Sequence, residues 1–182
     1  MKYSGSGTPE EIRALQMMMQ AIPPAVPVSN EQVLLSMRLV PSLQVVDTFR
    51  SFVVVYMTRR FSRQLGDKLG TACHELLENA VNHGTSGLDV HVEVRTNSSG
   101  GVEILVANEC VEERANALHE RVQQLVGTNT AELYRSALRG SPGTKSMLGL
   151  VRVRHEAGMT LEAASEGAQV VVVARMRLTS QR

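Results

Sequence analysis

From Leu88 to Arg95 the chain alternates without a break: Leu88, Val90, Val92 and Val94 are apolar, while Asp89, His91, Glu93 and Arg95 are polar or charged. Successive side chains of a strand point to opposite faces, so this segment buries one face and wets the other. A sheet made of such strands needs helices on one side only. Asn97-Ser98-Ser99-Gly100-Gly101 then reads as a hairpin loop, and Val102 to Ala107 as the return strand.

The flanking segments fill in the rest. Val33 to Val40 reads as a strand stopped by Pro41 and Ser42. Leu43 to about Gln64 reads as a long helix with Val46, Phe49, Val53 and Met57 on one face. Gly66 and Gly70 read as punctuation before a second helix, Asp67 to His83, which Gly84 stops. Beyond Asn108 the period becomes helical: Val111, Ala115, Leu118, Val122 and Leu125, then a helix from Thr128 to Arg139. A polar connection, Gly140 to Ser146, leads into a short helix from Met147 to His155. A last hairpin, Met159–Ala164 and Ala168–Leu178, turns at Glu166-Gly167. The run Val170 to Val173 predicts a central strand buried on both faces. This order predicts a two-layer α/β sandwich, with a mixed, mostly antiparallel sheet and helices on one face.

At 182 residues the chain suits one sizeable core, assigned here to residues 30–182. Residues 1–29 form a tail and an appended helix. Thr8 caps it, Pro9 suits its first turn, and Ile12, Leu15, Met18, Met19 and Ile22 give it an apolar face. That face either packs on the domain or serves a partner, a homodimer included. Lys plus Arg total 19 against 18 Asp plus Glu, which argues against a dedicated nucleic-acid binder. Cys73 and Cys110 lack ligand spacing, and Cys73 falls in an apolar stripe, as suits a free thiol in a reducing cytoplasm. No signal peptide or membrane-spanning run is evident.

The segment His74 to Gly84, HELLENAVNHG, carries the chemistry. At about 100° per residue, Cys73, Leu76, Leu77, Ala80 and Val81 share one face. Glu75, Glu78, Asn79 and Asn82 share the opposite one, with His83 at the border. Asparagine in a helix interior costs about 0.5 kcal/mol relative to alanine. A plain wet face would more readily carry Lys, Gln or Arg. Glu75 and Asn79, four residues apart, project together and offer a carboxylate beside an amide oxygen. Such hard oxygens suit magnesium, and a carboxylate beside a metal-bound phosphate can take a proton from an attacking hydroxyl. The expectation is that both side chains face an open cleft.

This pattern, E-x-x-x-N-A-x-x-H-G, resembles the N-box of GHKL (Bergerat-fold) ATPases, and most of all that of bacterial anti-sigma-factor serine kinases. The resemblance spans about residues 30 to 180. It implies Glu75 as catalytic base, Asn79 as the magnesium ligand, and ATP as the nucleotide, with Asn82 and His83 beside it. Where the family carries D-x-G-x-G, this chain has Asn108 and no following glycine. The stretch GSPGTKSMLGL resembles a degenerate form of the family's second glycine box, so Gly143, Thr144, Lys145, Ser146 and Gly149 are the implied phosphate cradle. It is not a Walker A loop, because the spacing G-x-x-x-x-G-K-[ST] is not met. Asn108, the helix after it, and the Leu–Tyr helix before the loop are similar to SiaB-type switch kinases. Those phosphorylate a Ser or Thr of a small STAS-like partner. The resemblance implies a cytoplasmic protein kinase acting in a signalling switch. The alternative is a partner-binding module, anti-sigma-like, without turnover, which the missing glycines favour.

Overall fold

The computed structural model describes residues 32–40, 42–85, 87–140 and 147–178. The element order is β1 (Gln32–Leu39), α1 (Leu43–Arg60), α2 (Arg63–His83), β2 (Val90–Thr96), β3 (Gly101–Glu109), α3 (Glu112–Leu125), α4 (Thr130–Leu138), α5 (Leu148–His155), β4 (Thr160–Glu166) and β5 (Gln169–Arg177). The five strands form one sheet in the order β1-β2-β3-β5-β4, every neighbour antiparallel. β1 carries an irregularity between Val33 and Leu35, where its register on β2 shifts. The fold is the two-layer α/β sandwich that the sequence predicts. The appended N-terminal helix falls outside the described residues. Among them, no helix is long and apolar enough to cross a membrane.

Alternation sets which sheet face is buried. Val90, Val92 and Val94 of β2, Val102, Ile104 and Val106 of β3, and Val170, Val172 and Ala174 of β5 all point inward. Val46, Phe49, Val53 and Met57 of α1 and Leu69, Cys73, Leu76 and Leu77 of α2 close over all of these but Val170 in one core, and Val170 packs with Cys110 and Ala115 in a small second cluster. Each such large side chain contributes about 1.5–3 kcal/mol on leaving water. The valine run does not behave as expected. Val170 and Val172 are buried, but Val171 and Val173 are only half-buried. They face the outer side of the sheet, beside Ala107 and Leu105 of β3.

Two helix boundaries also differ from expectation. α1 ends at Arg60, and Ser62 caps α2, its hydroxyl accepting from the Leu65 amide at 3.2 Å. Gly66 and Gly70 therefore lie inside α2 instead of before it. Their role is steric. A Cβ on Gly66 would sit 2.7 Å from the Val54 carbonyl oxygen and against the Thr58 side chain, and one on Gly70 would strike the Val54 side chain. The glycines let α1 and α2 approach closely, at the cost of some helix propensity. Gly84 does stop α2, but its backbone is extended (φ −70°), not left-handed. It is needed because a Cβ would sit 2.5 Å from the Ala80 oxygen and 3.0 Å from Asn108 Nδ2.

The outer sheet face carries a charge network. Glu103, only 7% exposed, accepts from Arg95 Nε at 3.1 Å, Arg175 Nε at 2.9 Å and Asn97 Nδ2 at 3.1 Å. Arg175 also pairs with Glu162 across β5 and β4. Burial pushes the Glu103 carboxyl up, but the hydrogen bonds from Asn97, Arg95 and Arg175 outweigh it and hold it below the usual range.

Two outcomes follow. Gly66→Ala will lower stability by about 1–3 kcal/mol in urea titrations, because overpacking against a backbone carbonyl exceeds the propensity gain of about 1 kcal/mol. Glu103→Gln will cost roughly 1–3 kcal/mol at neutral pH. A carboxylate whose folded-state pKa is depressed stabilises above its unfolded value and loses that contribution as pH falls through the folded one. The difference between wild type and Glu103→Gln will therefore shrink below about pH 4.

Candidate functional site

α2 crosses the inner face of the sheet with its apolar side down, so its opposite side meets α5. Leu150, Val151 and Val153 hold α5 in the core. That leaves Gly149 and Arg152, with Glu156 just beyond the helix, along the flank that faces α2 and α4. A Cβ on Gly149 would lie 2.9 Å from Glu75 Oε2 and 3.5 Å from Asn79 Nδ2. The residues singled out by spacing and resemblance, Glu75, Asn79 and Gly149, are thus brought together.

Their setting is not the open cleft expected. Glu75 is 4% exposed, and its Oε1 accepts from Arg152 Nη1. Arg152 is held from its other side by Glu156, with Nε on Oε1 at 3.0 Å and Nη2 on Oε2 at 3.2 Å. Tyr134 of α4 donates its hydroxyl to Glu156 Oε1 at 2.8 Å, and its ring stacks on His155 at 4.5 Å. The four side chains make one chain of contacts from α2 through α5 to α4. The reason the cleft is closed is this docking: α5 lies against the face of α2 that sequence reasoning left to solvent.

Charge follows the geometry. Burial raises the Glu75 carboxyl above the ordinary range, opposed by the Arg152 and His74 charges and reinforced by Glu78 and Glu156. The hydrogen bond from Arg152 holds Glu156 low, and the bond to Glu156 raises the Tyr134 hydroxyl. Glu75 therefore has a higher proton affinity than a surface glutamate, a property suited to a general base.

Asn79 differs. Its Nδ2 is buried and finds no hydrogen-bond partner among the described residues. A buried unsatisfied amide costs about 1–3 kcal/mol, so the position has polar capacity to spare. The orphaned atom is an N–H donor, which suits an acceptor such as a phosphate oxygen; a half-turn of the amide would present its oxygen instead. A hard cation there would draw at most one amide oxygen from Asn79, since Glu75 is engaged with Arg152. Asn79 also lines a small cavity of about 20 Å³ with His83, Asn108, Cys110, Arg114 and Leu150. This is room for about one water.

The remaining residues separate. Asn108 stands at the end of α2, its Nδ2 donating to the Glu109 carbonyl at 3.3 Å. The His83 imidazole is held below its ordinary range by burial first and then by the Arg121 and Arg114 charges. Asn82 is exposed and does not line that cavity. Gly143, Thr144, Lys145 and Ser146 lie outside the described residues. A wider surface cleft of about 520 Å³ lies between Arg38, Asp89, His91, Asn108 and Gln169. It shares Asn108 with the small cavity but none of the α2 site. Sequence reasoning missed Arg152, Glu156 and Tyr134. The spacing of Gly149, Arg152 and Glu156 along one helical flank was the available signal.

No protein-family model and no curated protein matches the chain. Among solved structures it is similar to a chain of the SiaB–SiaC complex from Pseudomonas aeruginosa, at 16% identity over 92% of this chain and 98% of that one, with a TM-score of 0.63. The fold is SiaB-like. The five-stranded antiparallel sheet and its one-sided helices are therefore an arrangement already found in a protein of a two-protein complex.

The orphaned amide yields a stability test. Asn79→Ala removes an unsatisfied buried group and adds helix propensity, so it will be neutral or stabilising by up to about 1 kcal/mol. A residue kept for a ligand at the expense of stability behaves this way. A loss of 2 kcal/mol or more in denaturant titration would assign Asn79 a structural role instead.

Proposed function

We propose that this chain is a nucleotide-dependent switch protein: a serine/threonine kinase of the GHKL type whose substrate is a small STAS-like protein. The observation that carries this reading is the juxtaposition of Glu75, the unsatisfied Asn79 amide and Gly149 on a SiaB-like fold. A structural helix pair has no use for an orphaned amide beside a buried acid.

In this reading Asn79 holds magnesium, and Gly149 with Gly143, Thr144, Lys145 and Ser146 cradles the phosphates of ATP. Magnesium, when bound, would offset the negative charge of the phosphate chain. Glu75 takes the proton of the partner's Ser or Thr hydroxyl. The hydroxyl oxygen forms a bond to the γ-phosphorus, the bond from that phosphorus to the β–γ bridging oxygen breaks, and ADP leaves with the electron pair. Asn108 stands near the adenine edge and offers both a donor and an acceptor. His83 and Asn82 flank the same helix end.

The second reading is a partner-binding module without turnover, and one observation favours it. Glu75 is tied to Arg152 and the cavity beside Asn79 holds about one water, so that cavity by itself has no room for a triphosphate.

Titration calorimetry on the full chain with ATP and magnesium separates the two. The kinase reading expects binding at millimolar affinity or better, lost in Asn79→Ala. With labelled ATP and a cell lysate, a small protein will take up phosphate, and Glu75→Ala will abolish that label while keeping binding. Silence with ATP, ADP and GTP alike would leave the turnover-free module.

A further inference from the structure

Both carboxylate oxygens of Glu75 are covered by α5. Oε1 accepts from Arg152 Nη1, and Oε2 lies where a Cβ on Gly149 would come within 2.9 Å. Arg152 does not depend on Glu75 for its own place. Its Nε and Nη2 are fixed by the two oxygens of Glu156, and Tyr134 braces Glu156 from α4. Nη1 can therefore leave Glu75 without freeing the guanidinium. Arg152 is also about one-third exposed while Glu75 is not, so an arriving anion reaches the arginine first.

From this geometry we infer that Arg152 is the positioning residue of the site, holding Glu75 in a masked state that must open before the carboxylate can accept a proton. The inference rests on the kinase reading for its consequence, but the masking itself is a property of the helix pair. The groups that face Glu75 are Arg152 on α5, Glu156 just beyond it, Tyr134 on α4, and His74 and Glu78 on its own helix. Of these, only Arg152 offers a forked donor that can release one nitrogen and keep the others bound. The ligand class that fits the released guanidinium is a phosphate chain, whose oxygens compete with carboxylate for the same donors.

The test is carbodiimide labelling of carboxyl groups in the full chain, read by mass spectrometry, with Glu78, whose side chain is 41% exposed, as an internal reference. In wild type, Glu75 will react at least about ten times more slowly than Glu78. Arg152→Gln will raise Glu75 labelling about tenfold, and Arg152→Lys, which keeps the charge but loses the fork held by Glu156, will fall between that and wild type. Gly149→Ala supplies a second route, because it keeps the Arg152 side chain but pushes α5 that carries it away from Glu75, and it will also raise Glu75 labelling. Unchanged Glu75 labelling in both Arg152→Gln and Gly149→Ala would overturn the masking, whatever the chain does with nucleotide. Phosphotransfer decides the reading beneath it: once the mask is removed, kcat will rise several-fold in Arg152→Gln, while KM for ATP also rises because the guanidinium that meets the phosphate chain is gone. Raised labelling without any nucleotide turnover would keep the mask and remove the kinase. A fall in kcat with raised labelling would overturn the inhibitory role of Arg152.

Discussion

The docking of α2 between two surfaces governs this structure. Its apolar side must lie on the inner face of the sheet, since Leu69, Cys73, Leu76 and Leu77 have nowhere else to go. Its first half must also accept α1 at close range, which Gly66 and Gly70 permit. Once those constraints are met, only one flank is left, and α5 takes it. Burial of Glu75 is a by-product of satisfying the core, and Arg152 is the counter-charge that makes that burial tolerable.

Much of the fold was legible in the residues. The alternation at Leu88–Arg95 and the glycine turn after it placed β2 and β3, and the helical spacing after Asn108 placed α3 and α4. What was not legible depends on tertiary packing. Glycine in a helix interior reads as a break, yet here a neighbouring helix requires it, so α2 begins earlier than its composition suggests. Four consecutive valines read as a strand covered on both sides, but a sheet with helices on one side leaves Val171 and Val173 half-wet. The candidate site shows the same division. The i, i+4 spacing of Glu75 and Asn79 put them together, and the leucine–glycine–leucine element brought Gly149 to them. Arg152 went unnoticed in the sequence, because spacing within one helix does not say which other helix lies across it.

The two readings of function differ less in architecture than in the state of one ion pair. In the proposed turnover-free reading Glu75 stays held by Arg152, and in the proposed kinase reading it is released. The small cavity beside Asn79, His83 and Asn108 sits at the C-terminal end of α2, next to where the two states would diverge. The raised proton affinity of Glu75 belongs to the same balance, since burial and a partly opposing cation act on it together.

The register shift near the start of β1 has a separate consequence. β1 is an edge strand, and an unbroken edge offers its free amides and carbonyls to any other extended chain. The irregularity between Val33 and Leu35 interrupts that row, and at the opposite edge β4 carries Glu162 and Glu166. Among the described residues, both margins of the sheet are thereby poorer templates for another extended strand.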